Sequence, residues 1–304
     1  MGENIQILVK KYIKKEEYEK VLELIEDELK NKWDEKLLYL KYEILIELKR
    51  FDEAIEVLDE LMRKSGNYKY LSIVKGLLLM IIGKLEDSKK TFKEVCHITR
   101  MNYLVAATML AYIYARLGEY EKSLKLLEKI SEHYNSPAAY LERGKVLYNL
   151  GRLEESLTCF KKCLEKCDCD TEALYYAGDV CVKLGKYDEA IEYLCKIIKI
   201  NPCNIRALTK ISKVLITIGK ITKAKEFLEK ALELNPKDPA LYILYGIVLN
   251  KLGKYDKAIE YFDKALSINP NLVEAWNGKG LALEKLGRLE EALECYNRAF
   301  SLLE

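Results

Sequence analysis

Proline and histidine are scarce in this chain: 304 residues hold five prolines and two histidines, with only fifteen glycines. So few backbone breakers exclude a collagenous or proline-rich disordered protein and leave room for long helical runs. His97 and His133 stand alone, without an HExxH pair, a nucleophile elbow or a glycine-rich phosphate loop elsewhere. No cofactor, metal or catalytic residue is therefore expected, and the chain reads as a binding protein rather than an enzyme. An excess of one charge is missing too, with 50 Lys and Arg set against 48 Asp and Glu. That balance gives no general reason to expect nucleic acid or an anionic membrane as partner. The longest apolar run, LLLMII at 77–82, is far short of the roughly 20 residues that cross a bilayer. The opening MGENIQILVKKYIKKEEYEK is charged throughout and lacks the pattern of a secretory signal. The expectation is a cytoplasmic protein whose nine cysteines are mostly reduced.

What is present is a period. YILYGIVLNKLGKYDKAIEYFDKALSINP at 242–270 repeats LYYAGDVCVKLGKYDEAIEYLCKIIKINP at 174–202 almost position for position. Anchored on Tyr18, Phe51, Leu85, Tyr120, Leu153, Tyr187, Ile221, Tyr255 and Leu289, the copies are spaced 33, 34, 35, 33, 34, 34, 34 and 34 residues apart. Nine units then tile the chain: 2–34, 35–68, 69–103, 104–136, 137–170, 171–204, 205–238, 239–272 and 273–304. Within one unit, Tyr242, Tyr245, Gly246 and Leu249 recur at helical spacing up to a turn at Gly253. A second run, Tyr255, Ala258, Ile259, Phe262 and Ala265, continues to Asn269-Pro270. Neither helix can hide its apolar stripe alone, so each must pack on its partner and on the next pair. The prediction is about eighteen antiparallel helices, without a sheet or a second globular domain.

The spacing and the grammar Trp276, Gly280, Leu286-Gly287, Ala292, Tyr296, Ala299 resemble the tetratricopeptide repeat. Tyr242, Gly246, Leu252-Gly253, Ala258, Phe262, Ala265 and Pro270 repeat it, as do Gly144, Gly151 and Phe160, then Gly178, Gly185, Ala190 and Pro202. The first two units are degenerate: Glu16 and Lys49 stand at the turn-glycine place, and Val9 and Tyr42 replace the small first-helix residue. The resemblance implies an all-α tetratricopeptide-repeat solenoid, a right-handed superhelix whose concave wall holds a peptide or another protein.

Nine cysteines include four within residues 159–169. On this register Cys163 takes the place of Ala265 and Ala299, and Cys181 that of Leu249, so both belong in the apolar seam. Cys159 lies one helical turn before Cys163, whereas Cys167, Cys169 and Cys203 fall near turns between units. A structural role for most of these thiols is the expectation; a metal or redox site near residues 167–203 remains the alternative, beside a purely structural role in a larger complex.

By the same resemblance, first-helix side chains that the repeat does not need for packing line the inner wall. They are Tyr39, Tyr70, Ile73, Leu77, Tyr112, Leu141, Tyr148 and Tyr175, a partly apolar strip, with Arg116, Lys145, Lys183, Arg206 and Lys213 as candidate basic contacts. Curvature of the array burying some of these within the protein is the alternative. The carboxylate clamp of chaperone-binding relatives is not expected, since Thr108 and Tyr112 stand where its Lys and Asn side chains would begin. Leu293, Phe300 and Leu303 are candidates for exposure and self-association near residue 304, whereas Lys10, Lys11, Lys14 and Lys15 suit the other end to water.

Overall fold

The computed structural model describes residues 17–66, 68–98 and 103–303. The expectations for Val9, Glu16, Lys10, Lys11, Lys14 and Lys15, and for the His97 side chain, lie outside the described residues. Among the described residues there are seventeen α-helices and no strand. In chain order they are α1 Tyr18–Asn31, α2 Glu35–Glu47, α3 Phe51–Ser65, α4 Tyr68–Ile81, α5 Leu85–Ile98 and α6 Tyr103–Arg116. There follow α7 Tyr120–Tyr134, α8 Pro137–Asn149, α9 Leu153–Lys166, α10 Thr171–Lys183, α11 Tyr187–Ile200 and α12 Ile205–Thr217. The last five are α13 Ile221–Leu234, α14 Pro239–Lys251, α15 Tyr255–Ile268, α16 Val273–Lys285 and α17 Leu289–Ser301.

The turn inside each pair has one recurring construction. Gly253 adopts φ +72°, its N–H reaches the Asn250 carbonyl at 3.0 Å, and Lys254 N–H reaches that of Leu249 at 2.9 Å. This is a Schellman closure, which needs a left-handed residue and so favours glycine. The same φ sign recurs at Gly83, Gly118, Gly151, Gly185, Gly219 and Gly287. Lys49 performs the identical turn at φ 59° without being glycine, with Lys49 N–H on Ile46 and Arg50 N–H on Leu45. The opposite junctions start the next first helix with a side-chain cap. Asp34, Asp170, Asn204 and Asp238 each accept from backbone N–H groups of the first helical turn, and Pro239 follows its cap at the first helical position.

The chain divides into two compact units, residues 1–146 and 147–304. In the first, helices pack consecutively from α1 to α7 around two apolar clusters. One gathers Leu37, Leu45, Leu58 and Leu61; the other gathers Phe92, Ala106 and Ile113, all without exposure or nearly so. In the second unit, α9 to α17 pack consecutively, and first helices also touch one another, α12 on α14 and α14 on α16. Its main core joins Leu194, Leu208, Leu228, Leu241, Ala258 and Phe262.

Small residues set the approach of these helices. A Cβ on Gly246 would lie 2.7 Å from the Phe262 ring, and one on Gly278 only 2.4 Å from it. Phe262, wholly buried, therefore fills the glycine notch of its own pair and that of the next first helix. Gly76 and Gly280 make the same notches for Phe92 and Tyr296. Cys163 and Cys181 are fully buried, as their register implies, and burial pushes the Cys181 thiol up to about 11.

Candidate functional site

In the second unit, the end of α8 with α10 and α12 brings seven polar and aromatic side chains together. Asp179 of α10 is buried, with 8% of its surface accessible. The Tyr148 hydroxyl, from α8, donates to its Oδ2, and the Lys210 ammonium, from α12, donates to its Oδ1. A bare carboxylate at this depth would be strongly disfavoured; two donors and a cation make it tenable. Burial raises the Asp179 pKa, but the Lys210 and Tyr148 hydrogen bonds and the charges of Lys210 and Lys183 outweigh it, leaving the carboxyl below its ordinary value. Tyr148 is pushed the other way, by burial first and then by bonding to an anion.

Around this core the aromatic rings form a continuous run. Tyr148 meets Tyr176 edge-on with centroids 5.6 Å apart, Tyr176 stacks on Phe160 of α9 at 5.5 Å, and Tyr175 meets Tyr176 edge-on at 6.4 Å. Two cations cap the run. Lys183 Nζ lies 4.0 Å from the Tyr148 ring centroid, and the Arg206 guanidinium lies 4.5 Å from that of Tyr175. Both are exposed, and neither has an ion-pair partner among the described residues. Beside them a cleft of ≈ 260 Å³ opens between Thr171, Glu172, Tyr175, Tyr176, Asn204 and Arg206.

The sequence-predicted residues divide by repeat position. Those six residues before the turn glycine include Leu77, Tyr112, Lys145 and Lys213; Asp179 holds that same place. Leu77 and Lys213 are exposed, while Tyr112 is half-buried and its hydroxyl accepts from Arg116 at 3.0 Å. Lys145 pairs with Glu142 at 2.8 Å. Ten residues before the turn, Ile73 and Leu141 are buried, as are Thr108 and Ile243, so this column serves packing in those repeats. Tyr39 and Tyr175 in the same column are half-buried, and Tyr70 is 60% exposed. Tyr148, Tyr175, Lys183 and Arg206 are thus brought together; Tyr39, Tyr70, Ile73, Leu77, Tyr112 and Arg116 belong to the other unit.

Sequence reasoning missed Asp179, Tyr176 and Lys210. Asp179 was legible as an acid at a place where most other copies carry Leu, Ile, Tyr or Lys, although Glu43 is acidic there too. The partner residues stand 31 positions away on either side, at 148 and 210. Among the described residues no three His, Cys, Asp or Glu side chains converge as a metal site would require. No described helix is long and apolar enough to cross a membrane. At the far end of the second unit, Leu289, Leu293, Phe300 and Leu303 are 65%, 60%, 64% and 71% exposed.

Tetratricopeptide repeat models match residues 105–132, 135–202, 181–248 and 238–304. No curated protein matches the sequence. Among solved structures, a tetratricopeptide repeat protein from Parabacteroides merdae is similar over 76% of this chain and 91% of its own, at 19% identity and TM-score 0.57. YrrB, described as a TPR protein with an unusual peptide-binding site, is 25% identical over 58% of this chain and 90% of its own, with TM-score 0.50. A MamA protein is 26% identical over 55% of this chain and 91% of its own, with TM-score 0.51.

Proposed function

The chain belongs to the tetratricopeptide repeat family, and from that premise we propose that it is a protein-interaction module whose second unit holds a partner's peptide against α8, α10 and α12. The observation that carries this reading is the pair of exposed cations, Lys183 and Arg206, each laid over a tyrosine face and neither held in a salt bridge among the described residues. Lys210, by contrast, is neutralised by Asp179. Stacking pre-orders the two long side chains, which lowers the entropy lost when they bind. A segment carrying acidic side chains between apolar ones fits this surface: the acids meet Lys183 and Arg206, and the apolar side chains cover Tyr175 and Tyr176. The peptide-binding description of YrrB supports the class of partner.

A panel of fluorescein-labelled peptides tests this by anisotropy, with acids interleaved among Leu and Phe and matched peptides carrying Lys instead. The acidic series is expected to bind and to weaken about tenfold, or roughly 1.4 kcal/mol, in Arg206→Ala and in Tyr175→Ala with melting unchanged. Equal binding of the lysine series, or no binding by any acidic peptide, overturns the proposal.

A second reading concerns α17. Leu289, Leu293 and Phe300 are more than half exposed, whereas Ile259 and Leu266, at the places of Leu293 and Phe300 one repeat earlier, are packed. That surface supports self-association between copies. Light scattering from micromolar to hundred-micromolar protein should show growth that Phe300→Asp removes; a constant monomer sinks this reading.

A further inference from the structure

Eleven residues before the turn glycine and eight after it, the pair α14–α15 carries Tyr242 and Tyr261, with ring centroids 6.0 Å apart. Tyr245 meets the Tyr261 ring at 4.6 Å and donates its hydroxyl to Glu229 of α13 at 2.7 Å. Lys264 Nζ lies 4.4 Å from the centroid of Tyr261. The places of Tyr242, Tyr245, Tyr261 and Lys264 are held in the third unit by Ser72, Lys75, Thr91 and Glu94, and that of Glu229 by Asp59. No other copy has Ser or Thr at the first or third of these places, and most carry a large side chain, such as Leu174, Tyr193, Leu208 and Phe227. The polar link persists, Lys75 reaching Asp59 at 2.6 Å, but the rings are gone. Ser72 folds back onto its own helix, donating to the Tyr68 carbonyl at 2.6 Å, and Thr91 donates to that of Asp87 at 3.0 Å. Against Ser72 and Thr91 a cavity of ≈ 630 Å³ opens between α3, α4 and α5, with Met62 and Tyr68 adding apolar surface to its wall. Its charge is unbalanced. Lys75 neutralises Asp59, which leaves Glu56 and Glu94 facing Arg63, and neither glutamate is in an ion pair among the described residues.

We infer that this cavity is a second binding site, which takes a tryptophan of a partner polypeptide into the space of the missing rings and an adjacent lysine or arginine onto Glu94. Repeat interiors are close-packed, so a void where other copies hold rings is a place for a ring from outside. The indole covers the Met62 thioether and the Tyr68 ring, contacts that favour an aromatic over an aliphatic side chain. The neighbouring cation follows from the exchange of Lys264 for Glu94. In α15 the protein supplies both ring and cation; in α5 it supplies the carboxylate, and the partner brings the other two. The site lies in the first unit and selects a basic segment, whereas the surface at α8, α10 and α12 selects an acidic one.

Calorimetric titration of the full chain tests this with Gly-Ser dodecapeptides carrying a central Trp-Lys, Trp-Glu or Ala-Lys pair. Trp-Lys is expected to bind about tenfold tighter than either of the others. Ser72→Tyr combined with Thr91→Tyr rebuilds the ring pair of the later repeat, and should abolish binding while keeping or raising the melting temperature. Glu94→Lys, an exposed change to the residue that α15 carries, should turn the preference from Trp-Lys to Trp-Glu. This second variant decides the matter if the double variant fails to fold. Arg206→Ala should leave the Trp-Lys titration unchanged, so this site and the acidic-peptide surface can each fail alone. No heat from Trp-Lys at millimolar peptide, equal affinity for Trp-Glu, or binding that persists in the folded double variant or is unmoved by Glu94→Lys overturns the proposal.

Discussion

Asp179 and Lys210 are in direct contact across neighbouring first helices, and the Tyr148 hydroxyl occupies the carboxylate's other oxygen. Truncating Asp179 to Ala strands a hydroxyl and an ammonium together, so unfolding free energy should drop by about 1–3 kcal/mol in urea titration. Tyr148→Phe removes one donor but leaves the ion pair, and should cost less than Asp179→Ala.

The same trio gives stability a pH dependence. The Asp179 carboxyl sits below its ordinary value when folded, so its contribution is complete above an unfolded carboxyl's pKa of about 4 and is lost as acid protonates the folded group. Tyr148 is raised, so its contribution is complete below about pH 10 and is lost as the solution becomes more alkaline. Asp179→Asn should flatten the acid limb of a melting-temperature profile and Tyr148→Phe the alkaline limb. Unchanged limbs in both variants would refute this assignment.

The glycine notches are ranked by the space they leave. Gly278→Ala forces a methyl to 2.4 Å from the Phe262 ring, a buried group with no room to retreat. It should cost about 1–3 kcal/mol as overpacking. Gly178→Ala meets Leu194 Cγ at 3.1 Å and Cδ2 at 3.3 Å, a looser approach, and should cost less. Chemical denaturation of the two variants side by side checks the order.

Lys49 is the counterpart. It holds a left-handed conformation at φ 59°, which costs an L-residue roughly 1–2 kcal/mol in αL. Lys49→Gly relieves that strain at the expense of a looser unfolded chain, so a net gain of about 0.5–1 kcal/mol is expected. A loss of stability would show that the Lys49 side chain contributes more than its backbone costs.

Asp170 caps α10, accepting from Glu172 N–H at 3.0 Å and Ala173 N–H at 2.9 Å. Asp170→Ala should lower stability by about 1 kcal/mol, whereas Asp170→Asn should be nearly neutral, because Asn204 caps α12 in the same way. Thermal melts of the two variants separate the outcomes.

Local rules made most of the fold legible. The turn glycines, the Asp, Asn and Pro helix starts, and the alternation of Phe or Tyr with Gly are short-range signals that reappear at each step of the period, so one repeat reads out the next. Lys49 shows the rule operating through a residue that disguises it. The site was only half legible, since its partners are set by packing between first helices. Tyr148, Asp179 and Lys210 lie in different repeats at different places in the repeat, and the 31-residue step between them is not the repeat's own period. Ile73 and Leu141 show the converse: one column of the repeat is buried in some copies and half-exposed at Tyr39 and Tyr175.

Phe262 touches Gly246 in its own pair and would be struck by a methyl on Gly278 in the next. One ring therefore carries both the folding of a repeat and its coupling to the following one, so the two free energies are not separable there. Opening α16 exposes the face that α15 needs to stay closed on α14. In hydrogen exchange these three helices should behave as a single foldon, with amides in α14 and α16 sharing one opening free energy although a full repeat of sequence separates their starts.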